Sequence, residues 1–186
     1  AFADRYPYGI FSCIRTMGHI YKSRGNFDLS AQYYQEALDY MLKNMPDQDP
    51  SQLYSSLAEY YRNTQKDYAT ALDYCEKALK SAKTERNIAQ AMIEKCLILF
   101  RQGRIDEFND CYKEAVQMAD RCKLSANVSL LIAHISKNIL DKQYEQAHAH
   151  ADQLSEESLQ QHAYIYEYAK DYPNAIKYLK KYHQQL

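Results

Sequence analysis

The stretch from Ile14 to Leu38 constrains the fold more than any other part of the sequence. Its first half places apolar residues at the spacing of an amphipathic helix, and its second half does so again after Gly25. Glycine suits the residue that follows a helix, and Asn26 suits the position that caps the next one. Two amphipathic helices joined by so short a turn predict a helical hairpin.

The composition favours an all-α protein and excludes several classes of function. Apolar residues make up 46% of the 186 residues, whereas glycine and proline number only four each, too few for a turn-rich β protein. The formal net charge of −1 provides no basic surface for nucleic acid, so we expect this region to contact none. No apolar run is long enough to span a bilayer.

The hairpin pattern recurs along nearly the whole chain. Residues at equivalent positions in the first helix of each hairpin are mostly small: Gly18, Ala58, Cys96, Ile135 and Ala163. We predict one array of five hairpins, with approximate boundaries at residues 8–46, 51–83, 86–122, 125–154 and 156–186. The residues expected to be buried where helices meet are Tyr21, Ala37, Tyr61, Ala71, Leu99, Ala147 and Ala175.

The first hairpin resembles the tetratricopeptide repeat in the spacing of Gly18, Tyr21, Gly25, Phe27, Tyr34 and Ala37. This resemblance implies a right-handed α-solenoid of about five hairpins that binds a protein or peptide. The small positions are separated by 40, 38, 39 and 28 residues, against a usual period of about 34. Most of the repeats are therefore lengthened, which resembles the arrays of bacterial regulatory and sensor proteins.

In that family the first helix of each hairpin lines a concave groove for the partner. Carried over to this chain, the resemblance implies a groove formed by Arg15, His19, Lys22, Glu59, Arg62, Leu97, Phe100, Ile132, Ile139 and Tyr164. Its first part is basic and polar, and its middle is apolar and suits an amphipathic helix or an extended peptide. The alternative for the apolar members is burial against neighbouring helices, and the sequence leaves both interpretations open.

The resemblance also argues against one known type of partner site for this chain. Co-chaperones that grip a C-terminal carboxylate use Lys, Asn, Asn, Lys and Arg. The corresponding positions here hold Arg15, His19, Ser56, Gln90 and Glu94. Only Arg15 keeps the positive charge and Glu94 reverses it, so we do not expect a clamp of this type.

The residue patterns give little support to a metal site, a cofactor or an enzyme. His148, His150 and Asp152 are the most metal-like cluster, but residues two apart on a helix point to different faces. Neither a glycine-rich phosphate loop nor a zinc-type Cys/His spacing occurs in the sequence. We therefore expect no cofactor, and an all-α enzyme or metal protein is the least favoured class.

The five cysteines, at positions 13, 75, 96, 111 and 122, are interpreted as small buried apolar residues. Their odd number and wide spacing argue against a disulfide framework. Unpaired cysteines favour a reducing, cytoplasmic compartment slightly, and an extracytoplasmic sensor region is the alternative.

The favoured function is protein or peptide binding, as the sensing or interaction region of a larger bacterial regulatory or signal-transduction protein. The alternative is a stand-alone assembly adaptor that acts through self-association. The last helix has apolar residues over more of its circumference than one neighbouring helix requires. We therefore expect Ile176, Tyr178 and Leu186 to help form an exposed patch for self-association.

Overall fold

The computed structural model describes residues 6–124, 127–154 and 158–184, and these residues form helices and turns without any strand. The helices are α1 (Pro7–Ser23), α2 (Phe27–Asn44), α3 (Ser51–Tyr60), α4 (Tyr68–Ser81), α5 (Glu85–Arg101), α6 (Ile105–Arg121), α7 (Val128–Leu140), α8 (Tyr144–Ala151), α9 (Ser158–Tyr168) and α10 (Tyr172–His183). None of these helices is long and apolar enough to cross a membrane.

The described residues form an all-α solenoid of five helical hairpins. Each odd-numbered helix, called an A helix below, packs against the B helix that follows it. The A helices also contact one another in series, α3 with α5, α5 with α7, and α7 with α9. The A helices therefore share one side of the array, which is where a partner groove is expected.

Local signals explain where many of the helices begin. Side chains at the N-cap accept a hydrogen bond from a backbone amide of the first turn in five helices: Asn26, Asp67, Thr84, Asn127 and Asp171. Pro7 is the first residue of α1, where its missing N–H costs little.

All five turns within hairpins contain a residue in the left-handed region, but only two of these residues are glycine. Gly25 and Gly103 have φ values of 73° and 71°. Lys66, Lys142 and Lys170 occupy the equivalent turns with φ values of 56°, 59° and 61°. The turn of the second hairpin differs from the others because the helix continues beyond α3 as a π-helical turn over Tyr61–Gln65.

The core lies between the A and B helices, where small residues allow close approach. Ala37, Ala71, Leu99, Ala147 and Ala175 are buried as expected. Tyr21 and Tyr61 are only half-buried, because their rings stack near the surface on Tyr33 and Tyr74 respectively.

Candidate functional site

A polar pocket of about 250 Å³ opens on the side of the A helices, and residues of the first four hairpins line it. Its lining residues are Arg15, His19, Tyr34, Gln52, Leu53, Ser55, Ser56, Glu59, Gln90, Glu94, Asn127 and Ser129. Most of them recur at intervals of three or four residues along α1, α3 and α5, which places them on one face of each helix. We call this feature the polar pocket.

Two ion pairs join neighbouring hairpins beside the polar pocket. Lys22 Nζ lies 2.6 Å from Glu59 Oε2, and both side chains are partly exposed. Arg62 Nη2 lies 3.0 Å from Glu94 Oε2, and these two side chains are only 4% and 7% exposed. The second carboxylate oxygen of Glu94 accepts a hydrogen bond of 2.7 Å from Ser129. Both acidic side chains of the polar pocket are therefore already paired.

Arg15 carries a positive charge that no acidic side chain of the described residues neutralises. Its guanidinium lies over the ring of Phe11, 5.2 Å from the centroid, and it forms no ion pair with the described residues. The Nε atom is buried and has no hydrogen-bond partner in the part of the chain that the structure describes. Since buried polar groups are nearly always satisfied, Arg15 is the member of the polar pocket best placed to receive an anionic group.

His19 adds a neutral polar group next to Arg15. Burial lowers the pKa of His19, and the nearby charges of Arg15 and Lys22 lower it further. Burial raises the pKa of Tyr34, and its hydroxyl is hydrogen-bonded to His19 Nδ1, with 3.0 Å between the two atoms. Tyr34 belongs to α2, so the polar pocket includes one side chain from a B helix.

The comparisons with known proteins agree with this architecture. Residues 11–84 match the sequence family described as the tetratricopeptide repeat. This segment spans most of the first two hairpins, which are thus similar to tetratricopeptide repeats. No curated protein matches the chain significantly.

A solved structure extends the comparison over the later hairpins. The crystal structure of BtubC (BKLC) from P. vanneervenii superposes with a TM-score of 0.61 at 16% sequence identity. The match covers 98% of this chain and 83% of that chain. At this identity the similarity shows the fold alone, and it supports a helical-repeat architecture along the whole length.

The polar pocket coincides with the positions that tetratricopeptide repeats of the co-chaperone type use to grip a carboxylate. All five corresponding residues, namely Arg15, His19, Ser56, Gln90 and Glu94, line it. Because Glu94 is paired with Arg62 and only Arg15 is left as a cation, the charge pattern differs from the Lys, Asn, Asn, Lys, Arg set.

The predicted groove residues fall into a polar group and an apolar group, and the polar group lies in or beside the polar pocket. Arg15, His19 and Glu59 line the polar pocket. Lys22 and Arg62 lie beside it, each paired with one of its two acidic side chains. The polar part of the predicted groove is thus brought together in one place.

The prediction that the apolar groove residues form an open surface is wrong. Leu97, Phe100 and Ile139 are buried, with exposed fractions of 2%, 6% and 3%. Helix α5 contacts α3, α4, α6 and α7, so almost every residue from Ile93 to Phe100 is enclosed. These three side chains are core residues, as the alternative interpretation held.

The two remaining predicted groove residues, Ile132 and Tyr164, pack against the core at the place where the apolar part of the groove was expected. Ile132 is half-buried and packs against two core clusters. Tyr164 is half-buried beside Phe100, with ring centroids 6.5 Å apart, and the guanidinium of Arg101 lies 4.7 Å from its ring centroid. The later A helices therefore pack against one another at this point.

Sequence reasoning missed several residues of the polar pocket. Gln52, Asn127 and Ser129 lie at or near the first turn of α3 or α7, outside the helix positions that the family uses for the groove. Asn127 has a recognisable signal, since it caps α7, but capping alone does not indicate a binding role.

The metal-like histidines lie on opposite sides of α8. His148 contacts His162 of α9, with 2.6 Å between their Nδ1 atoms, and Asp152 contacts His162 Nε2 at 3.0 Å. His150 instead stacks on His134 of α7. Within the described residues, no group of three or more His, Cys, Asp or Glu side chains is arranged to hold a metal ion.

Proposed function

We propose that this chain binds a protein partner through the polar pocket, with an acidic group of an extended peptide segment placed against Arg15. Tetratricopeptide repeats are protein-interaction scaffolds, which supports a protein partner and not a catalytic role. The observation that carries the proposal is the unneutralised guanidinium of Arg15, with its buried and unsatisfied Nε, beside neutral donors and acceptors.

The charges around Arg15 favour one polarity of ligand. Glu59 and Glu94 are paired with Lys22 and Arg62, so the polar pocket and its two flanking cations together carry an excess of one positive charge. A basic peptide would have to break one of these pairs, whereas a carboxylate at Arg15 gains a charge-assisted hydrogen bond without breaking any. We therefore expect acidic peptides to be selected over basic ones.

The test selects peptides from a random library displayed on phage, using the full chain as bait. Affinities of one selected acidic peptide are then measured by fluorescence anisotropy. A hydrogen bond to a charged group contributes about 1.5–3 kcal/mol, so Arg15→Ala should weaken binding by about 10-fold to 100-fold. Arg24→Ala is the matched control, because Arg24 lies just after the same helix, is exposed and does not line the polar pocket.

A second arm identifies the group that Arg15 recognises. Replacing the acidic residue of the peptide by its amide should weaken binding to the wild type and have little effect on Arg15→Ala. Equal losses for Arg15→Ala and Arg24→Ala, or selection of basic peptides, would contradict the proposed site.

We further propose that this binding serves the sensing region of a larger regulatory protein. The support is the lengthened spacing of the first three repeats, at 40, 38 and 39 residues. The sequence of the complete gene tests this role, since a kinase-like, DNA-binding or membrane segment beside the array is the expected result.

Self-association through α10 is the second candidate function, and a specific surface supports it. Tyr172, Ile176 and Leu179 are 57%, 52% and 42% exposed, and their spacing of four and three residues places them on one helix face. Of the residues expected there, Ile176 is exposed, Tyr178 packs against His162 and Tyr166, and Leu186 lies outside the described residues. Analytical ultracentrifugation should show dimers that Ile176→Glu converts to monomers, and a wild-type monomer at high concentration would exclude this function.

A further inference from the structure

Two cysteine side chains meet between the helices of the third hairpin. Cys96 lies on α5 and Cys111 on α6, and the Cys96 thiol donates a hydrogen bond to Cys111 Sγ at 2.8 Å. Both are unbonded thiols. No other two thiols among the described residues lie within hydrogen-bonding distance of each other, so this contact is particular to the third hairpin.

The two thiols differ in access to solvent and in readiness to ionise. Cys96 is completely buried, whereas Cys111 is partly exposed. The hydrogen bond from Cys96 lowers the pKa of the Cys111 thiol, and the positive charge of Lys95 acts in the same direction. The same hydrogen bond, together with burial, raises the pKa of Cys96. Cys111 is therefore the thiol that reacts first with a reagent from solvent.

We propose that Cys96 and Cys111 form a reversible dithiol–disulfide site, which a small-molecule disulfide such as oxidised glutathione closes. In the first step the Cys111 thiolate attacks one sulfur of oxidised glutathione, forms a mixed disulfide and releases one glutathione thiolate. Cys96 then attacks Cys111 Sγ, its proton passes to the departing sulfur, and a second glutathione leaves. Two protein thiols are oxidised to one disulfide, and one oxidised glutathione is reduced to two thiols.

The position of this site links it to the packing of the array. Cys96 occupies the small position of its A helix, equivalent to Gly18 and Ala58, where the A and B helices approach each other closely. A bond at this point would fix α5 against α6, and α5 also carries Gln90 and Glu94 of the polar pocket. We therefore expect oxidation to raise the thermal midpoint and to leave the helix content unchanged.

The other three cysteines provide internal controls. Cys75 is buried, and Cys122, the residue that follows α6, is partly exposed. Cys13 is exposed, so the expectation that all five cysteines are buried is wrong for it. Cys122 thus resembles Cys111 in exposure but has no neighbouring thiol within hydrogen-bonding distance in the described structure.

The experiment incubates the folded full chain with oxidised glutathione, blocks the remaining thiols by alkylation and maps tryptic peptides by mass spectrometry. Trypsin should release Cys96 and Cys111 in the peptides 96–101 and 105–113, joined to each other. Neither Cys96 nor Cys111 should remain available for alkylation, and dithiothreitol should restore the five free thiols of the reduced chain.

Two variants test the order of the steps. Cys122→Ser should still form the linked peptides, whereas Cys96→Ser should stop at glutathione attached to Cys111. The proposal is overturned if the folded wild type keeps five free thiols, if the link joins Cys75 or Cys122, or if it joins two chains. Because the wild-type map alone can give these results, the test does not depend on the folding of any variant.

Discussion

The buried ion pair between Arg62 and Glu94 should contribute strongly to the stability of the array, and replacing Arg62 by methionine tests this. Both side chains are almost fully enclosed, with exposed fractions of 4% and 7%. Arg62 donates to Glu94 from Nε at 3.3 Å and from Nη2 at 3.0 Å. Arg62→Met would leave the carboxylate buried with Ser129 as its remaining donor.

The expected loss of stability depends on which hydrogen-bond donors Glu94 loses and which it keeps. Breaking a buried pair by removing one partner costs about 3–5 kcal/mol, because a charge is left uncompensated. Since Ser129 still donates to Glu94, we expect a loss near the lower end, about 3 kcal/mol. For a chain of this size each kcal/mol shifts the thermal midpoint by about 2–4 °C, so the midpoint should fall by about 6–12 °C.

The assay is thermal unfolding followed by circular dichroism at neutral pH, with two further variants. Lys22→Met breaks the more exposed pair with Glu59 and should cost no more than about 1 kcal/mol. The double variant Arg62→Met with Glu94→Met removes both charges and should regain most of the lost stability. The reasoning is refuted if Arg62→Met costs no more than Lys22→Met, or if the double variant is as unstable as Arg62→Met.

Two further predictions concern close packing and pH. Gly18→Ala would place a Cβ atom 2.6 Å and 2.7 Å from two ring atoms of Tyr34, and it should destabilise the fold by about 1–3 kcal/mol. The control is Gly9→Ala in the same helix, whose Cβ atom would meet only Tyr6 Cβ at 3.8 Å, and it should be neutral or stabilising. Equal effects of the two variants on the midpoint of urea unfolding would contradict this packing. Burial, and then the charge of His162, lower the pKa of His148, so the folded state binds fewer protons than the unfolded state and stability should fall as pH drops through about 6.5. His148→Gln should flatten the dependence of the thermal midpoint on pH between 7 and 5, and an unchanged slope would exclude His148 as a source of it.

Most of the fold could be predicted from the sequence because its signals are local. The helical period, the N-cap residues and Gly25 each act within one or two turns of chain, so they mark the hairpins without reference to distant residues. The turns at Lys66, Lys142 and Lys170 carry no such signal, since lysine has no special preference for the left-handed conformation that the two helices impose on it.

The candidate site could be predicted only in part, for a physical reason. The helical period predicts that Arg15, His19 and Glu59 lie on the inner faces of α1 and α3, and in the structure all three line the polar pocket. The same period cannot decide whether Leu97 and Phe100 face a groove or a core, because α5 is apolar around most of its circumference.

The packing of the A helices on one another decides whether Leu97 and Phe100 face a groove or the core. Because α9 approaches α5, Tyr164 and Tyr168 cover Phe100. Packing likewise decides which residues pair with Glu59, Glu94 and Cys111, because each lies 15 to 37 residues from its partner in the sequence. The sequence by itself therefore determined which residues are helical and which face inward, whereas only the packing between distant helices decided which inward faces remain open to a partner.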